Sequence, residues 1–114
     1  MVRDEAWLLD ILISGRDAVE FLDSLSWEEF VENRMVQHAV TKSPEILGEA
    51  AGRVSRDSRE AHPDIPWSLM IGMRNRLVHE YFRIDLQAVW DTVSNDVPGL
   101  TRKIEPLVPP EEEA

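Results

Sequence analysis

Apolar residues recur at intervals of three and four almost throughout this chain, and no stretch sustains the strict alternation expected of a strand. Leu8, Ile11, Leu12, Ala18, Val19 and Leu22 trace one stripe, which predicts a first helix over residues 4–24. Ser26-Trp27-Glu28-Glu29 then has the form of a capping box. In it the Ser26 hydroxyl accepts from the backbone N–H of Glu29, while the Glu29 carboxylate reaches back. A second helical region is predicted from Trp27 to Arg56, with Phe30, Val31, Ile46, Leu47, Ala50 and Val54 turned to the core. Pro44 lies inside it and is expected to kink or interrupt it, because proline removes a helical donor and clashes with the preceding turn.

The stretch from Arg59 to Pro66 holds two prolines and reads as a loop. A third helix is expected to start near Pro66, since proline suits a first helical turn, and to run on through Tyr81. Asp85 is a suitable N-cap for a fourth helix whose apolar face is Leu86, Val89, Trp90 and Val93. Pro98 is expected to open a short fifth helix through about Leu107, and the tail from Pro109 to Ala114, ending in three glutamates, is expected to be disordered. The pattern therefore predicts an all-α, up-and-down bundle of about four to five helices, with residues 1–108 as one domain and 109–114 as an acidic tail. A chain of 114 residues has much surface for its volume, so burial of a second apolar face in a homodimer is a natural expectation.

Charge narrows the choice of partners. The net charge of −10 argues against broad binding to a polyanion, but the charge is unevenly spread. Residues 1–33 carry −7 and residues 84–114 carry −5, whereas residues 34–83 hold eight basic and six acidic side chains, a balance of +2. Phosphate contact is thus permitted in one region only, and the acidic flanks suit a basic protein partner. There is no cysteine, so disulfide and thiolate chemistry are excluded. The longest charge-free run, Ile65 to Met73, is nine residues, about half a membrane span. With Arg3, Asp4 and Glu5 at its start the chain does not resemble a secretory signal, and a soluble, cytoplasmic protein is expected.

The net-basic region contains Arg74-Asn75-Arg76-Leu77-Val78-His79-Glu80-Tyr81. Arginine grips a phosphate with two parallel donors. Histidine moves protons near neutral pH. Together they suffice for RNA cleavage in which a ribose 2′-oxygen attacks the adjacent phosphorus and Arg steadies the transition-state charge. The spacing is less favourable. On an ideal helix Tyr81 returns to within about 20° of Arg74, but His79 lies about 140° away. A bent helix end or a second subunit is needed to bring the two together, and by residues alone a solvated helix terminus is the better account of the segment. His38 and His62 make no ligand spacing with His79, no metal or cofactor is expected, and no glycine-rich phosphate loop exists. Trp7, Trp27, Trp67 and Trp90 sit among apolar helical neighbours and read as core or dimer anchors. Arg53, Arg56 and Arg59 suit a basic rim or a solvated helix end alike.

The run from Ile65 through Pro66-Trp67 and Arg74-Asn75-Arg76-Leu77-Val78-His79-Glu80-Tyr81 to Asp85 closely resembles the HepT-like branch of the HEPN superfamily. Ile46-Leu47-Gly48-Glu49-Ala50-Ala51, Val89-Trp90 and Val97-Pro98-Gly99-Leu100 extend the resemblance over about residues 46–108. The resemblance implies an all-α homodimer with the motif helices lining a cleft between subunits. It further implies a toxin with metal-independent endoribonuclease activity, paired with a minimal nucleotidyltransferase antitoxin. Its R-x-x-x-x-H-x-Y motif assigns Arg74 and His79 as catalytic, with Asn75 as the adjacent polar residue, and Tyr81 as the site where the partner attaches AMP and silences the toxin. An anion on Tyr81 would block the cleft by bulk and charge. Gly48-Glu49 is open to two roles: close helix packing, or a supporting carboxylate from Glu49 near the cleft. The rival reading is a non-catalytic helical module that binds a nucleotidyltransferase partner or a nucleotide.

Overall fold

The first helix forms where the stripe predicts it. In the computed structural model, which describes residues 2–79 and 83–109 with the side chains of residues 2, 3 and 79 excepted, α1 spans Val2–Asp23. Leu8, Ile11, Leu12, Ala18 and Leu22 are buried, with Val19 packed at the edge of the same cluster. Helix α2, Trp27–Val31, starts at the expected capping box: Glu29 N–H donates to Ser26 Oγ at 3.1 Å, and Ser26 N–H to Glu29 Oε1 at 2.9 Å.

The second helical region breaks, but not at its proline. The chain turns at Asn33, whose side chain accepts from Val36 N–H at 3.0 Å and caps α3, Arg34–Arg53. Gln37, buried, donates from Nε2 to the carbonyls of Phe30 and Val31, both at 2.9 Å, so the open end of α2 is closed by a side chain of the next helix. Pro44 is buried within α3, which continues through it. An internal proline costs about 3 kcal/mol. Helix α3 packs along the length of α1 and buries Val40, Leu47, Ala50, Ala51 and Val54. A large apolar side chain fully buried contributes roughly 1.5–3 kcal/mol, so the packed face outweighs the one lost backbone bond. Val31 and Ile46, expected in the core, are instead exposed. The turn at Asn33 ends the helical phase on which Val31 was placed, and Ile46 lines a surface cavity together with Ile71 and Arg74.

The predicted loop from Arg59 is partly helical: α4 spans Arg56–Ala61. Its N-cap Ser55 accepts from Ser58 N–H at 3.1 Å. The chain then passes through His62–Pro66, whose carbonyl at His62 receives Trp67 Nε1 at 3.0 Å, into α5, Trp67–Ile71. A turn at Gly72 separates α5 from α6, Met73–Leu77. Helix α6 stops there, and this corrects the expectation that one helix carries Arg74, His79 and Tyr81. The Leu77 carbonyl, which a continuing helix would offer to the residue four positions on, accepts from Asp85 N–H at 2.8 Å. Strand β1, Val78–His79, pairs antiparallel with β2, Arg83–Ile84, setting Val78 opposite Ile84 and His79 opposite Arg83.

Asp85 caps α7, Leu86–Asp91, by accepting from Ala88 N–H at 3.0 Å. A π-helical turn, Thr92–Asp96, leads without a loop into α8, Val97–Ile104, and a 3₁₀ turn, Glu105–Leu107. The two C-terminal helices expected are therefore one rod. Pro98 has no N–H for the carbonyl of Ser94, and the backbone widens there instead of ending. One hydrophobic cluster joins α1, α3, α5, α6 and the C-terminal rod, and the architecture is all-α apart from the two-residue ladder. Trp27, Phe30 and Trp90 close one end with ring centroids 5.5–6.0 Å apart. No helix among the described residues is long and apolar enough to cross a membrane. Of the tail expected to be disordered, residues 110–114 lie outside the described residues.

Candidate functional site

Helices α3 and α5 come together at a glycine. A Cβ built on Gly48 would meet the Met70 carbonyl oxygen at 2.6 Å, too close for any side chain, so the two backbones approach at a distance only glycine permits. This settles the packing role of Gly48. It also brings α6, which follows α5 after the Gly72 turn, alongside the middle of α3. Arg74, exposed on α6, thereby stands over a stretch of α3 that includes Lys42 and Glu45.

Two cavities flank that meeting point. The first, about 300 Å³, is lined by the described residues His38, Thr41, Lys42, Glu45, Arg74, Val78 and Ile84. The second, about 360 Å³, is bounded on the α3 side by Lys42, Glu45, Ile46, Glu49 and the glycines 48 and 52, and opposite by Ile71 and Arg74. Lys42, Glu45 and Arg74 belong to both, so they form the ridge between the cavities. Among the described residues the side chains of Arg74 and Lys42 make no hydrogen bond or ion pair; the three ion pairs present engage Arg16, Arg53 and Arg56. Thr41 Oγ1 is buried and has no hydrogen-bond partner among the described residues. It sits one residue after Val40, whose carbonyl Pro44 leaves without the usual N–H.

The other residues singled out from sequence are distributed as follows. Asn75 is exposed on α6 beside Arg74 but lines neither cavity. His79 has its backbone in β1, two residues past the end of α6; its side chain lies outside the described residues, as does Tyr81 altogether. Glu49 lines the second cavity with an exposed carboxylate that pairs with Arg53 at 3.2 Å. Among the described residues no group of three or more His, Cys, Asp or Glu side chains is placed to hold a metal ion. The helical-wheel separation of Arg74 and His79 loses its meaning, because the helix ends between them.

Sequence reasoning passed over His38, Lys42 and Glu45, treating His38 as structural or solvated. The signal was present: His38, Lys42, Glu45, Glu49 and Gly52 follow at steps of four, three, four and three, one continuous polar stripe along α3. A polar stripe reads as solvent-facing unless something is known to lie opposite, and only the fold shows α6 there.

A second polar cluster lies at the other end of α3. Asp4 is buried and its carboxylate accepts from Ser55 N–H at 2.9 Å, Ser55 Oγ–H at 2.6 Å and Ser58 Oγ–H at 2.7 Å. The serine hydroxyl bonds, Ser55 first, hold its pKa below the ordinary value of 3.8. Nearby, the Arg53 guanidinium sits 5.2 Å from the centre of the Trp7 ring.

The family model described as ribonuclease HepT-like matches residues 11–107, a span that takes in α3, both cavities and the whole motif. The chain belongs to the HepT-like family. Over 101 residues it is 42% identical to a Methanocaldococcus jannaschii protein named "Putative RNase", covering 89% of this chain and 93% of that one. It is 40% identical over 88 residues to the "Probable ribonuclease HepT" of Thermococcus cleftensis, 77% of this chain and 80% of its relative. A Caldanaerobacter subterraneus protein named "Putative RNase" is 32% identical over 108 residues, 95% and 96% of the two chains. No solved structure matches this chain. In this member of the family Lys42, Glu45 and Arg74 form a ridge between two small cavities.

Proposed function

We propose that this HepT-like chain is the toxin of a toxin–antitoxin pair and acts, as a cytoplasmic homodimer, as a metal-independent endoribonuclease. Membership of a ribonuclease family supports the reaction class. The observation that carries the assignment of the site is Arg74, an exposed guanidinium without an ionic partner among the described residues, on the ridge between two cavities. An arginine left unpaired keeps its five donors for an anion, and its planar fork matches a phosphodiester.

The reaction follows from the groups assigned. A base removes the proton of a ribose 2′-hydroxyl, and that oxygen attacks the adjacent phosphorus. The bond from phosphorus to the 5′-oxygen breaks, and an acid returns a proton to the departing oxygen. The products are a 2′,3′-cyclic phosphate and a 5′-hydroxyl, with no net change in protons. His79 acts as general acid/base, Arg74 stabilises the charge on the phosphoryl oxygens, Asn75 orients the pair, and Glu49 is the supporting carboxylate. The end of α6 at Leu77 frees His79 from the helical wheel, the bent terminus that the residue spacing requires. A minimal nucleotidyltransferase antitoxin attaches AMP to Tyr81 and so places bulk and negative charge beside the reaction centre.

Incubation of RNA with wild-type protein, with and without EDTA, and with His79→Ala tests the enzyme reading. Cleavage that survives EDTA, leaves cyclic phosphate ends and disappears in His79→Ala is expected. Identical RNA profiles for wild type and His79→Ala overturn it, in favour of a non-catalytic module that docks the nucleotidyltransferase. Co-expression with an active nucleotidyltransferase tests the switch: an adduct of AMP mass on the wild type and none on Tyr81→Phe is expected.

A further inference from the structure

We infer that Lys42 is a second phosphate-binding residue of this site, and that a single-stranded RNA crosses the ridge with one nucleotide in each flanking cavity. The inference rests on the ribonuclease reading for the identity of its ligand, and on the shape and charge of the groove for the rest.

Carboxylates are in excess on this chain, with 22 acidic against 12 basic residues. Among the described residues, however, ion pairs hold only Arg16, Arg53 and Arg56, so Lys42 and Arg74 are set apart by sharing two cavities and not by lacking a pair. Lys42 and Arg74 share both cavities with Glu45, yet neither pairs with it. Two cations from different helices therefore face one ridge uncompensated by an ion pair, where a polyanion backbone would find both. Lys42 offers a compact charge with three rotatable donors, and Arg74 a fixed fork. The pair suits a phosphate chain approached from two sides: Arg74 on the phosphodiester that joins the two nucleotides, and Lys42 on the backbone from the α3 side.

The shape argument selects a single strand. Cavities of about 300 and 360 Å³ lie at the small end of ligand pockets, each suited to about one nucleotide. Each has an apolar wall and a polar rim. Val78 and Ile84 line the first, with Thr41, Glu45 and His38 around them. Ile46 and Ile71, 41% and 42% exposed, line the second beside Glu49. An apolar wall takes the face of an unstacked base, which a paired strand does not present, whereas a duplex offers phosphates and 2′-hydroxyls over a broad surface. The remainder of the chain is net acidic and would repel that surface. The scissile phosphodiester is then the one that must cross the ridge at Arg74.

The test uses the full chain and a fluorescent four-nucleotide RNA in two forms, an uncleavable 2′-O-methyl strand for binding and the unmodified strand for cleavage. Lys42→Met removes the charge from an exposed side chain and keeps its stem; Lys42→Arg restores the charge; Arg102→Met removes an exposed cation on α8. Lys42→Met is expected to weaken binding about tenfold and to lower kcat/KM about tenfold, chiefly through KM. The slope of log K against log salt is expected to shrink by about 0.7, one single-strand phosphate contact. Lys42→Arg should recover most of the affinity, Arg102→Met should match wild type, and the same sequence as a duplex should bind more weakly. An unchanged salt slope in Lys42→Met, an equal loss in Arg102→Met, equal binding of the duplex, or no binding by wild type at low salt each overturns the inference. The two readings fail separately. Cleavage by a protein indifferent to Lys42→Met removes this inference and keeps the ribonuclease. Binding through Lys42 without any cleavage removes the ribonuclease and keeps the single-strand groove.

Discussion

The two polar clusters that meet α3 are built on opposite principles. At one end, the carboxylate of Asp4 is buried and takes three hydrogen bonds from Ser55 and Ser58, with Ser55 at the same time capping α4. Near the middle, Lys42 and Arg74 stand exposed without a bond among the described residues, beside a Thr41 hydroxyl that also has none. A satisfied buried charge ties elements together, here the start of α1 to α4, because losing any partner would strand a desolvated group. An unsatisfied exposed charge stabilises nothing in the folded chain and remains available to a ligand. The same helix therefore carries a fastening and a binding surface, distinguished by which polar groups have partners.

The comparison is broken most severely at Arg74. Arg74→Ala is expected to reduce kcat for RNA cleavage by about 10²–10³, the usual effect of removing one preorganised donor to a developing oxyanion, while Tm stays within about 1–2 °C because the exposed side chain holds no hydrogen-bonding or ionic partner among the described residues. Single-turnover cleavage and calorimetry on the same sample separate the two outcomes. An Arg74→Ala protein that melts well below wild type would mean the ridge is a fastening after all.

Gly48→Ala probes the approach that creates the groove. The new methyl would press on the Met70 carbonyl, so a stability loss of about 1–3 kcal/mol is expected, together with reduced affinity for single-stranded RNA as α6 is pushed away from α3. Urea unfolding and strand binding read the two effects. A fully stable Gly48→Ala variant would show that the approach can relax at no cost.

Asp4→Asn tests the fastening. Loss of charge-assisted bonds is expected to cost about 2 kcal/mol at pH 7, with cleavage at 25 °C unchanged. The pH dependence has a definite sign. The folded pKa of Asp4 lies below its ordinary value of 3.8, so its stabilisation is complete above that value and is lost as pH falls through the folded pKa. Wild type and Asp4→Asn should therefore differ most near neutral pH and converge in thermal melts as pH falls below 3.8 through the folded pKa. Parallel curves across that range would count against a bonded carboxylate.

Thr41→Val should have the smallest effect and the opposite sign. Replacing a buried hydroxyl that has no partner among the described residues by a methyl of similar shape is expected to raise stability by up to about 1 kcal/mol. Chemical denaturation detects a shift of that size. A destabilised Thr41→Val variant would mean that the hydroxyl is bonded in solution.

Much of this arrangement is legible along the chain, and the reasons are local. The capping box at Ser26 and Glu29 and the N-cap at Asp85 depend on residues three apart, so the same bonds appear in the structure. The buried stripe of α1 follows from the helical period. The resemblance to the family is legible in the run from Ile65 to Asp85 and the segment around Gly48, and the family model matches further toward the N-terminus, over residues 11–107. Local rules failed where a distant partner intervened. Gln37 and Asn33 ended α2 before Pro44 came into play, Asp85 took the Leu77 carbonyl and stopped α6, and the rod from Leu86 to Leu107 absorbed Pro98 in a π-helical turn.

The sequence by itself determined where most of the chain is helical, the caps at Ser26 and Asp85, the all-α class and the identity of Arg74 and His79 as the residues to examine. Periodicity, side-chain capping and a recurring motif all act over a few residues and need no knowledge of what lies across the molecule. Tertiary structure decided where helices end and what faces Arg74. Whether Pro44 breaks a helix depends on the burial that α1 returns to α3, and whether a polar stripe is solvated or forms a groove depends on the helix opposite. Gly48 shows why: a missing side chain on one element sets the distance to another, and that distance places Lys42 beside Arg74.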